Sequence, residues 1–376
     1  MSNNNSVESG LVIGGRFKII EKLSEGGCGS IYTARDINTR IRVAVKTAKN
    51  GTDEGNILKI EASVLKRLEG RNNVAQLLAE GKKELFSYIV MTLLGSSIGE
   101  LKHKCKVFSS STLLRMSIQL LNGIKELHEA GFVHRDVKPD NICIGRKGGA
   151  LKVIHLLDFG LCREYIITID GKASLREPRP GKVLFRGTPV YCSIDAGSGK
   201  EQGRHDDLWS MMYVIADLIS SLPWRSLRNN RDAITSCKME TKDEHLFPGY
   251  PEFVEINNYL KTLTYYKRPD YGKIFLVFKT VLASSGSLFS DPYDWEVKKM
   301  YEASIEEDEP DAVYMNSPAP DNRKSSRTRT RSTGANRTIF NFLRSRRVNV
   351  SLLPEDLKIL EECYTLENFE KTNMNF

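Results

Sequence analysis

The run His134-Arg135-Asp136-Val137-Lys138-Pro139-Asp140-Asn141, followed seventeen residues after Asn141 by Asp158-Phe159-Gly160, constrains this chain more than any other feature. Eight residues hold two cations, two carboxylates and one amide, directly after an amphipathic stretch. That stretch, residues 111–130, places Leu113, Leu120, Ile124 and Leu127 on one face of a helix. Between Asn141 and Asp158 lie Gly145, Gly148, Gly149 and an apolar strand over 151–157, so a hairpin would bring Asn141 and Asp158 together. One carboxylate and one amide oxygen, with phosphate oxygens beside them, make a hard-oxygen site suited to Mg²⁺. Asp136 is then free to accept a proton from an incoming hydroxyl.

Composition sets the outer bounds. The chain has 376 residues, 40% hydrophobic and 27% charged, which supplies a sizeable core and excludes a wholly disordered protein. Seven scattered cysteines, odd in number and without a C-x-x-C pair, argue against a zinc ribbon or disulfide scaffold and for a reducing compartment. The net charge of +8 is uneven: residues 291–376 hold 13 Lys/Arg against 16 Asp/Glu, so the basic excess belongs to the main body. Such a body attracts anions such as nucleotides or phosphoproteins, although solubility explains the charge equally well. The polar first ten residues carry no signal peptide, and the most apolar stretch, 211–219, is short and contains Asp217, so no membrane span is expected.

Along the chain, residues 1–15 read as a disordered arm. β-rich runs follow at Phe17–Ile20, Ile31–Tyr32 and Ile41–Val45, with Ser24-Glu25-Gly26-Gly27-Cys28-Gly29 between the first two. This strand, Gly-rich turn, strand order differs from the strand, loop, helix order of a Rossmann or Walker site. Residues 55–69 look helical, with Ile57, Ile60, Val64 and Leu68 as the apolar face and Gly70 as the stop. Tyr88–Leu94 reads as a strand and 206–221 as a buried helix. The expected fold class is α+β: a small β-rich lobe with one helix over about 16–93, then a larger helical lobe over about 94–283. Residues 284–376 alternate acidic and basic blocks, as a mostly disordered tail does, with one short helix expected at 354–366.

With these parts in view the chain resembles a eukaryotic protein kinase over about residues 16–283. H-R-D-x-K-P-x-N and D-F-G at this spacing carry the resemblance. Val43-Ala44-Val45-Lys46 matches the third-strand lysine motif, and Glu61 stands on the following helix as its partner. Gly187-Thr188-Pro189-Val190-Tyr191-Cys192-Ser193-Ile194-Asp195 stands where family kinases carry A-P-E and is similar to the segment of the casein kinase I superfamily. Gly203–Ser210, Leu222-Pro223-Trp224 and Lys267–Tyr271 match that superfamily too, while Phe185–Thr188 and Trp209 look most like its tau-tubulin kinase branch, with its nematode-type relatives.

The resemblance implies a bilobal, ATP- and Mg²⁺-dependent protein serine/threonine kinase. It implies catalytic roles for Asp136, Lys138 and Thr188, and metal ligation by Asn141 and Asp158. ATP contacts are implied for Leu23, Ser24, Glu25, Gly26, Gly27, Cys28, Gly29, Ser30, Ile31, Ala44, Lys46, Glu61, Met91 and Leu93. Met91 would sit at the back of the nucleotide pocket and Leu93 in the hinge; the plain alternative is ordinary core packing. His134 is expected to be structural, and Asp207 to fix the catalytic-loop backbone. Departures are Ser24 in place of the first loop glycine, Cys28 at the aromatic tip, and Val190 where relatives carry an arginine that binds phosphate on primed substrates. Catalysis and ATP binding are expected to survive them; recognition of pre-phosphorylated substrates is not.

The expected partners are protein substrates, with a cytoskeletal class suggested by the branch. No specific nucleic acid, no membrane and a monomeric state are expected, in the cytoplasm with the nucleus as a second location. The competing readings are a catalytically silent kinase-fold scaffold and a cytoskeletal adaptor. The basic block at 322–347, with nine Lys/Arg and no acid, reads as a solvated tail, an import or anion-binding segment, or an autophosphorylation region.

Overall fold

The structure is a computed structural model, and it describes residues 7–27, 29–297 and 364–371. Cys28 of the Gly-rich turn, the charged blocks of 302–347 and most of the expected 354–366 helix lie outside the described residues.

Antiparallel strands build the first lobe: β1 (Val12–Ile13), β2 (Phe17–Gly26), β3 (Gly29–Asp36), β4 (Arg42–Lys49), β5 (Leu77–Lys82) and β6 (Phe86–Thr92), in the order β1-β2-β3-β4-β6-β5. Because side chains alternate across a strand, β4 serves two environments at once. Val43 and Val45 enter a small core with Phe17, Ile19, Tyr32 and Val90 on one face of the sheet. Ala44 and Ala48 enter the main core on the other, and Lys46 shares their parity. The single helix of this lobe, α1 (Asp53–Arg67), crosses that second face. Thr52 caps it by accepting from the Gly55 amide, and Asp53–Glu54 and Lys66–Arg67 sit at the ends that suit their charge.

The second lobe is largely helical. It runs through α2 (Ile98–Cys105), α3 (Ser110–Glu129), the short strands β7 (Phe132–Val133), β8 (Ile142–Ile144), β9 (Ile154–Leu156) and β10 (Arg163–Glu164), and the hairpin β11 (Ile166–Ile169) with β12 (Lys172–Leu175). Then follow α4 (Ile194–Gly197), α5 (Arg204–Ile219), α6 (Arg231–Glu240), α7 (Asp243–Leu246), α8 (Glu252–Leu260), α9 (Tyr271–Ser284) and α10 (Asp294–Val297). Helices α3, α5 and α9 form the centre, with Leu121, Ile124, Met211, Met212 and Phe278 essentially inaccessible.

Several expectations need correction. The 1–15 arm is not disordered throughout: β1 pairs with β2, and Ile13 is fully buried. Ile60 is exposed; the buried face of α1 is Leu58, Glu61, Ala62, Val64 and Leu65, because a carboxylate occupies a position that hydropathy reads as polar. The 151–157 strand is shorter, its first residues forming a tight turn before β9. Folded structure does not stop at 283. Arg115 holds the carbonyls of Phe289 (3.2 Å), Asp291 (2.5 Å) and Pro292 (3.0 Å), and Trp295 is buried with its indole N–H on Leu151 O at 3.1 Å. At the far end, helix α11 (Leu366–Glu370) docks on α9, with Phe369 stacked on Phe275 at 4.4 Å. It starts where the 354–366 helix was expected to finish.

Candidate active site

The catalytic loop owes its shape to a buried carboxylate. Asp207, on the first turn of α5, accepts from the amides of His134 (2.6 Å) and Arg135 (2.8 Å) and pairs with His128 at 2.9 Å. Burial works against its charge, but these bonds outweigh it and keep its carboxyl below the usual range. Arg135 sits at φ +70°, a conformation that needs such over-determination. His134 packs edge-on against Phe159, donates from Nε2 to Leu157 O at 3.1 Å, and accepts the Asp136 amide at Nδ1 at 3.2 Å. It is structural, as expected.

Two charged clusters result. In the first, Lys46 Nζ lies 2.7 Å from Glu61 and 2.9 Å from Asp158. Strand parity aims Lys46 at α1, and helical spacing puts Glu61 on the buried face between Leu58 and Leu65. Burial disfavours the Lys46 ammonium, but the two carboxylates more than compensate and hold it protonated. Burial pushes the Glu61 carboxyl upward, whereas Lys46 holds Asp158 below its ordinary value against burial. Asp158 adopts φ +64° and Phe159 is fully buried behind it.

In the second cluster, Thr188 donates to Asp136 Oδ1 at 2.7 Å, and Lys138 lies 2.8 Å from Asp136 Oδ2 and 3.4 Å from the Thr188 hydroxyl. Gly187 makes this approach achievable: at φ +112° a Cβ would stand 2.3 Å from the Arg135 carbonyl. The Lys138 ammonium is favoured by Asp136 despite partial burial.

The hairpin β8–β9 joins the clusters. Ile142 pairs with Leu156 and the Leu157 amide donates to Asn141 O at 3.1 Å, so Asn141 and Asp158 extend from neighbouring strand ends. Asn141 Nδ2 donates to Asp136 O at 3.0 Å, which leaves its Oδ1 as an acceptor. An ionised carboxylate and an amide oxygen are the donor set Mg²⁺ takes when phosphates complete its shell. The residues therefore fit the metal.

The expected nucleotide contacts divide by environment. Ala44 faces Met91 across β4 and β6, both buried, with Leu93 half-buried beyond them. Ile31 lies opposite Lys46 in register and Ser30 opposite Thr47, so the β2–β3 hairpin adjoins the lysine. Leu23, Ser24, Glu25, Gly26 and Gly27 are exposed, and a Cβ at Gly26 or Gly27 would meet no atom of the protein. Gly29 differs: at φ +104°, a Cβ would lie 2.2 Å from Thr47 O.

Around the expected residues the structure adds some that sequence reading passed over. Glu201 pairs with Arg163 at 3.3 Å and Arg179 at 2.5 Å. Lys238 donates to Pro189 O and Cys192 O at 2.8 and 2.6 Å under the segment that carries Thr188. Neither belongs to a motif, and no local pattern marks them.

Fold and site define a phosphotransferase of the protein-kinase type: a lysine tied to a helix carboxylate, a proton acceptor beside a second lysine, and an amide–acid pair for a divalent ion. The protein kinase domain family matches residues 17–265, and the chain belongs to it. A Caenorhabditis elegans protein named as a serine/threonine-protein kinase is 41% identical over 300 residues, covering 78% of this chain and 86% of that one. A Dictyostelium discoideum protein, also named as a serine/threonine-protein kinase, is 33% identical over 294 residues, covering 77% of this chain but 58% of its own length. Family and relatives together give the chain the function of a serine/threonine protein kinase.

Proposed function

We propose that this chain is an active kinase that transfers the ATP γ-phosphoryl group to Ser or Thr hydroxyls of proteins in a Mg²⁺-dependent reaction. The observation that carries this reading is that both charged clusters are assembled at once, Lys46–Glu61–Asp158 and Asp136–Lys138–Thr188. A pseudokinase scaffold has no need of either.

Asn141 and Asp158 would hold the metal, which when bound supplies charge neutralisation at the phosphate oxygens. Lys46, fixed by Glu61, presents its ammonium to the phosphates. Asp136 orients the acceptor hydroxyl and takes its proton, and Lys138 offsets charge on the moving phosphoryl group. Thr188 holds Asp136 and Lys138 in one geometry.

We place the chain nearest the casein kinase I superfamily and its tau-tubulin kinase branch, on the strength of the 187–195 segment, Trp209 and Leu222–Trp224. Trp224 supports this by donating to Val190 O at 2.9 Å, which ties that segment to the lobe beneath it. Val190 is buried and offers no cation, which supports unprimed protein substrates. Cytoskeletal substrates, a monomeric state and a cytoplasmic or nuclear location belong to the same proposal.

Asp136→Asn tests it. Autophosphorylation and phosphorylation of a Ser/Thr peptide library should fall by about 10²–10⁴-fold, the usual contribution of a positioned acid or base, with the melting temperature unchanged. Equal activity in the two proteins would leave only the scaffold reading.

A further inference from the structure

Three guanidinium groups from separate pieces of chain converge below the catalytic loop. Arg135 belongs to the loop itself, Arg163 to β10 just after Asp158-Phe159-Gly160, and Arg179 to the segment that leads to Thr188. Left alone they would repel. Arg135 is pushed down to about 10, by burial first and then by the charges of Arg163 and Arg179. Arg163 is lowered by burial, with Arg179 adding to it.

Glu201 holds two of them, Arg163 and Arg179. Its side chain is 2% exposed and takes Arg179 in a fork, Nε to Oε2 at 2.5 Å and Nη2 to Oε1 at 3.2 Å. Oε1 also lies 3.3 Å from Arg163 Nε, and its charge favours the Arg135 guanidinium. Burial opposes the Glu201 carboxylate, but Arg179 and Arg163 outweigh it and hold its carboxyl low. Arg135 in turn anchors the neighbourhood, donating from Nε to Leu161 O at 2.7 Å, while its carbonyl is the surface on which Gly187 packs. One buried carboxylate thus joins the strand after Phe159 to the stretch before Thr188, and its charge reaches the residue next to Asp136.

Protein kinases that are switched by phosphorylation order this segment with a phosphate, whose charge gathers arginines. We propose that Glu201 is a permanent internal counterpart of that phosphate, a positioning residue that keeps the Thr188 segment ordered and the enzyme active without phosphorylation of its own segment. The proposal rests on the kinase reading above. Its chemistry is that of a fixed anion in an arginine cradle, and it acts on rate through placement rather than by touching substrate.

The test uses the full chain, as wild type treated or not treated with a broad phosphatase, and as Glu201→Gln and Glu201→Ala. Phosphatase-treated wild type should keep its kcat within about twofold. Glu201→Gln, nearly isosteric, should lose on the order of 10- to 100-fold in kcat, with the KM for ATP little changed. Glu201→Ala should regain part of that loss when inorganic sulfate is added, because a small anion can enter the vacated cradle; a carboxylate needed only for packing gives no such rescue. Glu201→Gln with full activity, or wild type silenced by the phosphatase, would overturn the proposal, and the second arm needs no variant to fold. Wild type that transfers no phosphate at all would take down the kinase reading and this proposal with it, a result distinct from active wild type with an indifferent Glu201→Gln.

Discussion

In the catalytic loop, His134, Asp136 and Asn141 are all buried, and one carboxylate from a neighbouring helix grips two successive amides. In the Gly-rich turn, Leu23 is 50% exposed, Lys22 and Glu25 form a solvent-exposed ion pair, and Gly26 and Gly27 have open space where a Cβ would go. Both regions contribute to the same candidate site, yet one is set by the interior of the large lobe and the other by its own hairpin. The difference follows from their tasks. A proton acceptor must be held within a fraction of an ångström before substrate arrives. A phosphate cradle made of backbone amides needs only an unobstructed approach, and the ligand can supply the order. The two regions should therefore respond very differently to substitution.

The sharpest attempt to break the comparison is Asp207→Ala. It strands the buried His134 amide, the partly buried Arg135 amide and His128 Nε2, and releases Arg135 from φ +70°. Each stranded donor costs about 1–3 kcal/mol, so a loss of about 3–5 kcal/mol in urea-unfolding stability is expected, with activity falling alongside. A loss below about 1 kcal/mol would mean the loop is not held from α5.

That same grip explains what could be read in advance. Asp136, Lys138, Asn141, Asp158, Lys46 and Glu61 lie in short motifs whose chemistry is visible locally, and the structure brings them together. The β-rich and helical lobes were likewise legible from period-2 and period-3.6 patterns. What stayed hidden depends on long-range pairing. Glu201 looks like any solvated acid until Arg163 and Arg179 fold against it. Arg115 sits in an amphipathic helix as an ordinary cation, yet it is fully buried because three carbonyls from 289–292 satisfy it. Tyr364 falls within the short helix expected at 354–366, but nothing local names its partner: its hydroxyl donates to Asn73 Oδ1 at 2.8 Å, 291 positions away in sequence. Composition averages over such segments and misses two aromatic anchors, Tyr364 and Phe369, that find slots on Phe289 and Phe275.

Within the Gly-rich turn, the comparison sharpens at Gly29. Its positive φ and the Thr47 carbonyl 2.2 Å from a built Cβ make it the one glycine among the turn's described residues that the protein itself restricts. Gly29→Ala should cost about 1–3 kcal/mol locally, with the strain falling on the hairpin that adjoins Lys46. The expected result is a several-fold rise in the KM for ATP. An unchanged KM would show that the turn yields without disturbing the β3–β4 register.

The smallest effect belongs to Ser24, the position at which the sequence departs from the first glycine of the kinase pattern. Ser24 is exposed, lies opposite Ile31 beside a register shift in β2, and has no positive φ for a glycine to relieve. Ser24→Gly would remove no contact with the catalytic clusters and would only loosen the strand, a change of about 0.5–1 kcal/mol in local backbone order. Because a bound nucleotide can restore that order, the KM for ATP should shift less than about threefold, or about 0.65 kcal/mol. Isothermal titration with a non-hydrolysable ATP analogue measures the matching change in Kd. A tenfold gain in affinity would show that the serine obstructs the phosphates, and that the open turn is not as permissive as its bare glycines make it.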